Sequence, residues 1–105
     1  MTTTVVLDTK TVVSAIYWPR SIARRCLGGF ARRHYTMAVT EDVFDEYEAV
    51  AAELQPHFPA CNSKGALFWL RLKAGWVEPS PLGKQRSRDL RDDAFLACAV
   101  AAQAK

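Results

Sequence analysis

Short runs of β-branched and apolar residues alternate along the chain with longer stretches in which apolar residues recur every three or four positions. Residues 3–7 (TTVVL) and 35–39 (YTMAV) are two such runs, and an acid follows each within two residues. Residues 76–77 begin a third run, which Pro79 ends. We predict a short buried strand at each of the three runs.

Helical spacing fills the intervals between the predicted strands. A short helix over residues 12–16 stops before Pro19, and an amphipathic helix covers residues 21–33. After the second strand, Thr40 caps a helix that carries acids in its first turn, where they favour the helix dipole. Residues 55–63 contain two prolines and are predicted to form a loop.

Two further helices follow in the second half of the chain. One covers residues 65–74, and a polar basic loop over residues 82–91 leads to a last helix over residues 92–104. That last helix is apolar nearly all round, so we expect it to be buried. The predicted inward-facing residues are Ile22, Cys26, Leu27 and Phe30, then Val43, Tyr47, Val50, Ala51 and Leu54, then Leu67, Phe68 and Leu70, with Trp69 and Trp76.

This order of strands and helices predicts an α/β fold with a central parallel sheet flanked by helices. The crossovers between parallel strands should be right-handed. With 105 residues the chain is expected to form a single domain over residues 1–105. Ligands of such sheets bind beyond the carboxyl ends of the strands, so the acids at that edge are candidate site residues.

Composition narrows the class of protein. Half of the residues are hydrophobic and the formal net charge is +3, which fits a globular domain that tolerates a polyanionic partner. Asp8 and Lys10 interrupt the only early apolar run, and the apolar stretch at residues 94–102 is too short to span a bilayer. We therefore expect a soluble cytoplasmic protein.

The cysteines and histidines show no metal-binding spacing. The three cysteines are far apart and odd in number, which favours reduced, mostly buried thiols over a disulfide framework or a zinc site. The two histidines are isolated and are expected on the surface or in loops. These residues are Cys26, Cys61, Cys98, His34 and His57.

Three acids stand out by position, although each has an ordinary alternative. Asp8 directly follows the first strand, where a helix N-cap is the alternative. Glu46 flanks the apolar stripe of the third helix, where the alternative is an exposed glutamate at the margin of the stripe. Asp92 opens the last helix, and helix-dipole capping explains one acid there better than three. Its neighbours Asp89 and Asp93 are candidates for capping and supporting roles.

The predicted sheet brings these three carboxylates to one edge. Two carboxylates about 4 Å apart repel by about 4 kcal/mol at an effective dielectric constant of 20, so a cluster of three stays ionised only around a cation. Carboxylate oxygens without histidine or cysteine favour Mg²⁺ or Mn²⁺. Such an ion activates water and neutralises a phosphate, which is the chemistry of phosphodiester hydrolysis.

Three segments in order, VVLDTKTVVSAI, VTEDVFDEYEAV and RDLRDDAFLACAVAA, resemble the motif blocks of PIN domains, most closely the VapC-like toxins of bacterial toxin–antitoxin modules. The resemblance implies a PIN-like three-layer fold and an Mg²⁺- or Mn²⁺-dependent endoribonuclease that commonly dimerises and is silenced by an antitoxin. It places the three family acids on Asp8, Glu46 and Asp92, with Thr9 and Asp93 as secondary candidates.

The chain departs from the family pattern in two places. The first block usually has asparagine where this chain has Lys10, which either pairs with a carboxylate or phosphate or displaces the metal by its charge. Family members also continue into a further strand and a fourth acid, so the resemblance implies that the last strand or strands are lacking. These departures keep open an inactive PIN-like remnant that serves only as a binding module. A receiver-type signalling domain, which also clusters aspartates at sheet ends, is a lower-ranked alternative.

Basic and aromatic residues provide a candidate RNA surface. Arg86, Arg88 and Arg91 lead directly into the third acid and are the preferred candidates for phosphate contacts. A second basic group lies on the predicted second helix, where a solvated helix face is equally expected. Tyr17 and Trp18 either stack on bases or pack in the core. The second basic group consists of Arg24, Arg25, Arg32 and Arg33.

Overall fold

The computed structural model describes residues 3–79 and 90–102, without the side chains of residues 90–92. Within these residues the chain forms three strands and five helices. In chain order they are β1 (Thr4–Val5), α1 (Thr9–Tyr17), α2 (Ile22–Ala31), β2 (Thr36–Val39), α3 (Glu41–Leu54), α4 (Ser63–Lys73), β3 (Gly75–Trp76) and α5 (Leu90–Ala102), with a 3₁₀ turn at Gln55–His57 after α3.

The three strands form a parallel sheet in the order β1-β2-β3. Thr4 pairs with Thr36 and Ala38 pairs with Gly75. Because neighbouring strands are parallel, helices cross over between them: α1 and α2 between the first two strands, and α3 and α4 between the next two. The predicted α/β class, a parallel sheet flanked by helices, is confirmed. The strands end at one edge, where α1 and α3 begin.

The middle strand is the centre of the core. Met37, Ala38 and Val39 are all at most 2% exposed. Successive side chains of a strand point to opposite faces, so apolar side chains cover both faces of β2. From α3, Val43 and Tyr47 are fully buried, as the apolar stripe predicts. α1 packs against α2 and α3, and α5 packs against α3 and β2.

The strands and α4 differ from their predicted bounds by at most two residues at either end. The predicted strand at residues 3–7 is paired only over Thr4–Val5, and beyond it the carbonyl of Leu7 accepts a hydrogen bond from a side chain of α3. α4 begins at Ser63, two residues earlier than predicted. Asn62 caps it by accepting a hydrogen bond from the backbone N–H of Gly65 at 2.9 Å.

The predicted inward face of α2 is partly wrong. Ile22 is 79% exposed and Cys26 is exposed, whereas Leu27 is half-buried and Phe30 is buried. The guanidinium of Arg24 donates to the backbone carbonyl of Ala15 at 2.5 Å, which fixes α2 against the end of α1. In that setting the helix turns Leu27 and Phe30 inward and leaves the Ile22 side in solvent.

The predicted faces of α4 and α5 also need correction. Leu67 and Leu70 of α4 are buried, but Phe68 is 64% exposed because it lies about 100° around the helix from Leu67. α5 buries Ala97 and Cys98 but exposes Leu96 and Val100, so it is not buried all round. The two tryptophans predicted in the core, Trp69 and Trp76, are each 37% exposed and lie at its margin.

The cysteines are free thiols in different surroundings. Cys98 is buried, Cys61 is half-buried and Cys26 is exposed, so the prediction of mostly buried thiols fails for Cys26. His34 and His57 are exposed, which confirms their predicted surface position. Among the described residues, no helix combines the length and the apolar character needed to cross a membrane.

Candidate active site

Asp8 lies at the carboxyl edge of the sheet and caps α1. Its backbone is extended, and its Oδ1 accepts a hydrogen bond from the backbone N–H of Thr11 at 3.0 Å. Asp8 therefore does act as a helix N-cap, which was the alternative role considered for it. The side chain is exposed and also lines a cleft of about 640 Å³. The capping hydrogen bond uses one carboxylate oxygen, so the carboxylate can also bind a ligand through its other oxygen.

Glu46 lines the same cleft from α3. It is half-buried, which agrees with its predicted place at the margin of the apolar stripe. Val50 and Leu54 follow it at four-residue spacing and line the same wall. The cleft thus runs between α1 and α3, with the two carboxylates at the end where both helices leave the sheet.

Tyr47 ties these two acids together. It is fully buried, and its hydroxyl donates a hydrogen bond of 2.5 Å to the backbone carbonyl of Leu7. Leu7 immediately precedes Asp8, and Tyr47 immediately follows Glu46, so this bond links the two backbone segments that carry the acids. Burial raises the pKa of Tyr47, and the nearby Cys98 and Asp8 raise it further. The hydroxyl therefore stays protonated and keeps its role as donor.

The pattern of the sequence places Tyr47 in the core but does not reveal this positioning role. A signal was present in the residue type: a tyrosine in a fully apolar stripe must find a partner for its hydroxyl. The identity of that partner depends on a contact between residues 40 positions apart. Sequence spacing alone does not predict such a contact.

Asp92 lies in the first turn of α5. Its side chain is outside the described part of the structure, so its predicted position in the cluster has no direct observation. Phe95, three residues later on the same helix, lines the cleft with Asp8 and Glu46. The ring of Phe95 lies 6.1 Å from that of Tyr47.

The remaining candidates near the third acid are only partly described. Asp93 is half-buried. The predicted Asp89, Arg86 and Arg88 lie outside the described residues, as does the side chain of Arg91. The prediction of an RNA path through these arginines therefore stays a prediction.

The donor set of the cleft fits a hard divalent cation. Besides the two carboxylates, the cleft is lined by Thr9, whose Oγ1 is buried and has no hydrogen-bond partner among the described residues. A buried polar atom of this kind usually has water or an ion as its partner. Carboxylate and hydroxyl oxygens suit Mg²⁺ or Mn²⁺, which keep several waters.

Two observations limit the fit. Within the described part of the chain, no group of three His, Cys, Asp or Glu side chains is placed to hold a metal ion, and this finding does not extend to the side chain of Asp92. Lys10 also lines the cleft, so a positive charge lies beside the acids. The described residues thus offer two carboxylates and one hydroxyl, and a complete metal site would also need a ligand such as Asp92.

The arginines of α2 take no part in this cleft. Among the described residues that line it, none is an arginine. Arg24 instead donates to the backbone carbonyls of Ala15 and Ile16 and lines a separate pocket. The second predicted basic surface, on α2, is therefore not part of the wall that carries Asp8 and Glu46.

Comparison with known proteins gives one match. The family model described as PIN domain matches residues 4–105, which is nearly the whole chain. Neither a curated protein nor a solved structure matches. The family match agrees with the parallel sheet and with the resemblance of the three motif blocks, and it gives no support to a receiver-type signalling domain. The chain belongs to the PIN-domain family, whose members are generally metal-dependent nucleases.

Proposed function

We propose that this protein is a divalent-metal-dependent endoribonuclease and the toxin component of a toxin–antitoxin module. One observation carries the proposal: Asp8 and Glu46 line a single cleft at the carboxyl edge of the sheet of a PIN-domain chain. The acids come from different elements, 38 positions apart, so the fold and not local sequence brings them together. The same edge is where parallel α/β sheets bind ligands.

Asp8, Glu46 and Asp92 are the proposed ligands of Mg²⁺ or Mn²⁺. When bound, such an ion activates a water molecule and neutralises negative charge on the phosphate that is cut. Asp8 is held in place by its hydrogen bond to the backbone of Thr11. Asp92 is included because it stands one helical turn before Phe95, which lines the cleft.

Glu46 is proposed to orient the attacking water or to act as a further ligand. Glu46 is half-buried in the lining of the cleft, so its side chain is partly shielded from bulk solvent. Thr9 and Asp93 are proposed as supporting residues. The unpartnered hydroxyl of Thr9 is suited to donate a hydrogen bond to a carboxylate or to a bound water.

The partners proposed for this site follow from the activity. RNA is the substrate, and Arg86, Arg88 and Arg91 are proposed to contact its phosphates on the approach to Asp92. A cognate antitoxin protein would silence the enzyme, and a homodimer is the proposed assembly. A nuclease that acts on cellular RNA works in the cytoplasm, which is the proposed location.

Cleavage of single-stranded RNA with Mn²⁺ or Mg²⁺ tests the proposal. The single variants Asp8→Asn, Glu46→Gln and Asp92→Asn should each lose cleavage by two orders of magnitude or more, and EDTA should abolish it. Asp45→Asn is the matched control, because Asp45 adjoins Glu46 but is exposed and lies outside the cleft lining. Equal cleavage by the wild type and all three acid variants would overturn the proposal.

An inactive PIN-like binding module is the second candidate, and Lys10 favours it. The lysine lines the cleft beside the acids, so its charge opposes a divalent cation there. The nuclease and the binding module differ in one expected result, metal-dependent cleavage by the wild type. A wild-type chain that binds RNA but shows no metal-dependent cleavage above that of Asp8→Asn is the binding module.

A further inference from the structure

The active-site cleft has an apolar end as well as an acidic end. Asp8 and Trp18 flank α1 at its two ends, and both line the cleft. Ten residues at 1.5 Å per residue separate them by about 15 Å along the helix axis. On the facing helix, Glu46 lies at the acidic end and Leu54 at the far end. The cleft therefore follows the whole length of α1.

Trp18 is the exposed aromatic residue of this wall. Its neighbour Tyr17 is 3% exposed and donates a hydrogen bond to the carbonyl of Ala51, so it belongs to the core. Trp18 is 46% exposed. The two roles considered for this aromatic pair are thus divided: Tyr17 packs in the core, and Trp18 presents its ring to the cleft.

The ring of Trp18 is held in place before any ligand arrives. It packs edge-to-face on Phe58, with ring centroids 5.1 Å apart and planes at 75°. Its backbone N–H donates to the carbonyl of Ser14 at 2.9 Å, and its own carbonyl accepts from the hydroxyl of Ser21 at 2.7 Å. A ring fixed on both its edge and its backbone loses little conformational entropy when a flat ligand stacks on it.

We propose that Trp18 stacks on a nucleobase of single-stranded RNA, a few nucleotides along the strand from the bond that is cut. This inference rests on the proposed function and adds to it the residue that binds a base of the substrate. Aromatic side chains bind bases by stacking, and every base offers a flat face. The bases of a duplex are stacked on each other inside the helix, so the ring cannot reach them. The phosphates of the same strand would pass Lys10 on their way to the acids.

Binding in the Asp8→Asn background tests this without requiring activity. In EDTA, a single-stranded oligoribonucleotide should quench tryptophan fluorescence. Adding Trp18→Leu should remove most of the quench and weaken binding roughly 5- to 150-fold, the range for one stacked base. The duplex of the same sequence should give no Trp18-dependent quench. Trp69→Leu is the matched control, because Trp69 is also partly exposed but packs on Phe30 outside the cleft.

Trp18→Phe keeps an aromatic face and should restore much of the affinity, which a loss of folding would not allow. In the active chain, the Trp18→Leu change should raise KM far more than it lowers kcat. Affinity within twofold of the parent, with the fluorescence quench intact, would overturn the inference. If Asp8→Asn binds RNA through Trp18 but the wild type does not cleave it, the proposed function fails and only the stacking of Trp18 on a base stands. If the wild type cleaves and Trp18→Leu changes nothing, the inference alone fails.

Discussion

Replacing Asp8 with alanine and, separately, with asparagine distinguishes its role as a helix cap from its role as a metal ligand. Alanine removes the oxygen that accepts the hydrogen bond from the N–H of Thr11. Loss of such a cap costs about 1 kcal/mol of unfolding free energy. For a domain of this size that corresponds to a fall in Tm of about 4–8 °C. Asparagine keeps an acceptor oxygen and ranks with aspartate as an N-cap, so its cost is limited to the lost charge at the helix N-terminus.

Thermal unfolding followed by circular dichroism, at low salt and at 1 M salt, measures the contribution of the capping hydrogen bond and that of the charge at the helix N-terminus. Salt screens the interaction between a charge and the helix dipole but leaves the hydrogen bond, so the deficit of Asp8→Asn should shrink at high salt and that of Asp8→Ala should persist. Both variants should lose cleavage. Equal destabilisation by asparagine and alanine at high salt would refute the capping argument, and full cleavage by Asp8→Asn would refute the ligand role.

Three further predictions concern Tyr47, Lys10 and the cysteines. Tyr47→Phe leaves the carbonyl of Leu7 without its donor and should cost about 1–3 kcal/mol in urea unfolding. Because burial raises the pKa of Tyr47 in the folded state, the wild type should lose stability as the pH rises above about 10, where the unfolded chain deprotonates, and Tyr47→Phe should lose less. Lys10→Asn should tighten Mn²⁺ binding about fivefold, since a unit charge roughly 8 Å from a divalent ion in water costs about 1 kcal/mol; unchanged or weaker binding would contradict this. A thiol reagent followed by mass spectrometry should label Cys26 quickly and Cys98 only on unfolding, because Cys98 is buried and burial raises its pKa.

The features of the fold that rest on local pattern could be predicted from the sequence. Short β-branched runs predict the strands because a buried strand needs apolar residues on both faces, as Met37, Ala38 and Val39 show. The stripe of α3 is correct because Val43 and Tyr47 face a sheet that leaves little rotational freedom. The position of Asp8 at the sheet edge followed from its place directly after the strand predicted over residues 3–7.

The features that rest on contacts between distant residues could not be predicted. The orientation of α2, which exposes Ile22, depends on how the helix packs against α1, to which Arg24 also donates a hydrogen bond. The hydrogen bond from Tyr47 to the carbonyl of Leu7 joins residues 40 positions apart, so no local pattern indicates it. Apolar spacing indicates that a helix has a buried face. Which residues lie on that face depends on packing against neighbouring elements, and the spacing does not identify those elements.

Direct Mn²⁺ binding is the measurement that tests the central claim most closely, because it examines the cluster separately from the cleavage step. Electron paramagnetic resonance of free Mn²⁺, titrated with the protein, should show binding by the wild type and by Asp45→Asn. Binding should fall at least tenfold in Asp8→Asn and in Glu46→Gln. Equal binding by the wild type and both acid variants would show that these carboxylates do not hold the metal, and would contradict the account.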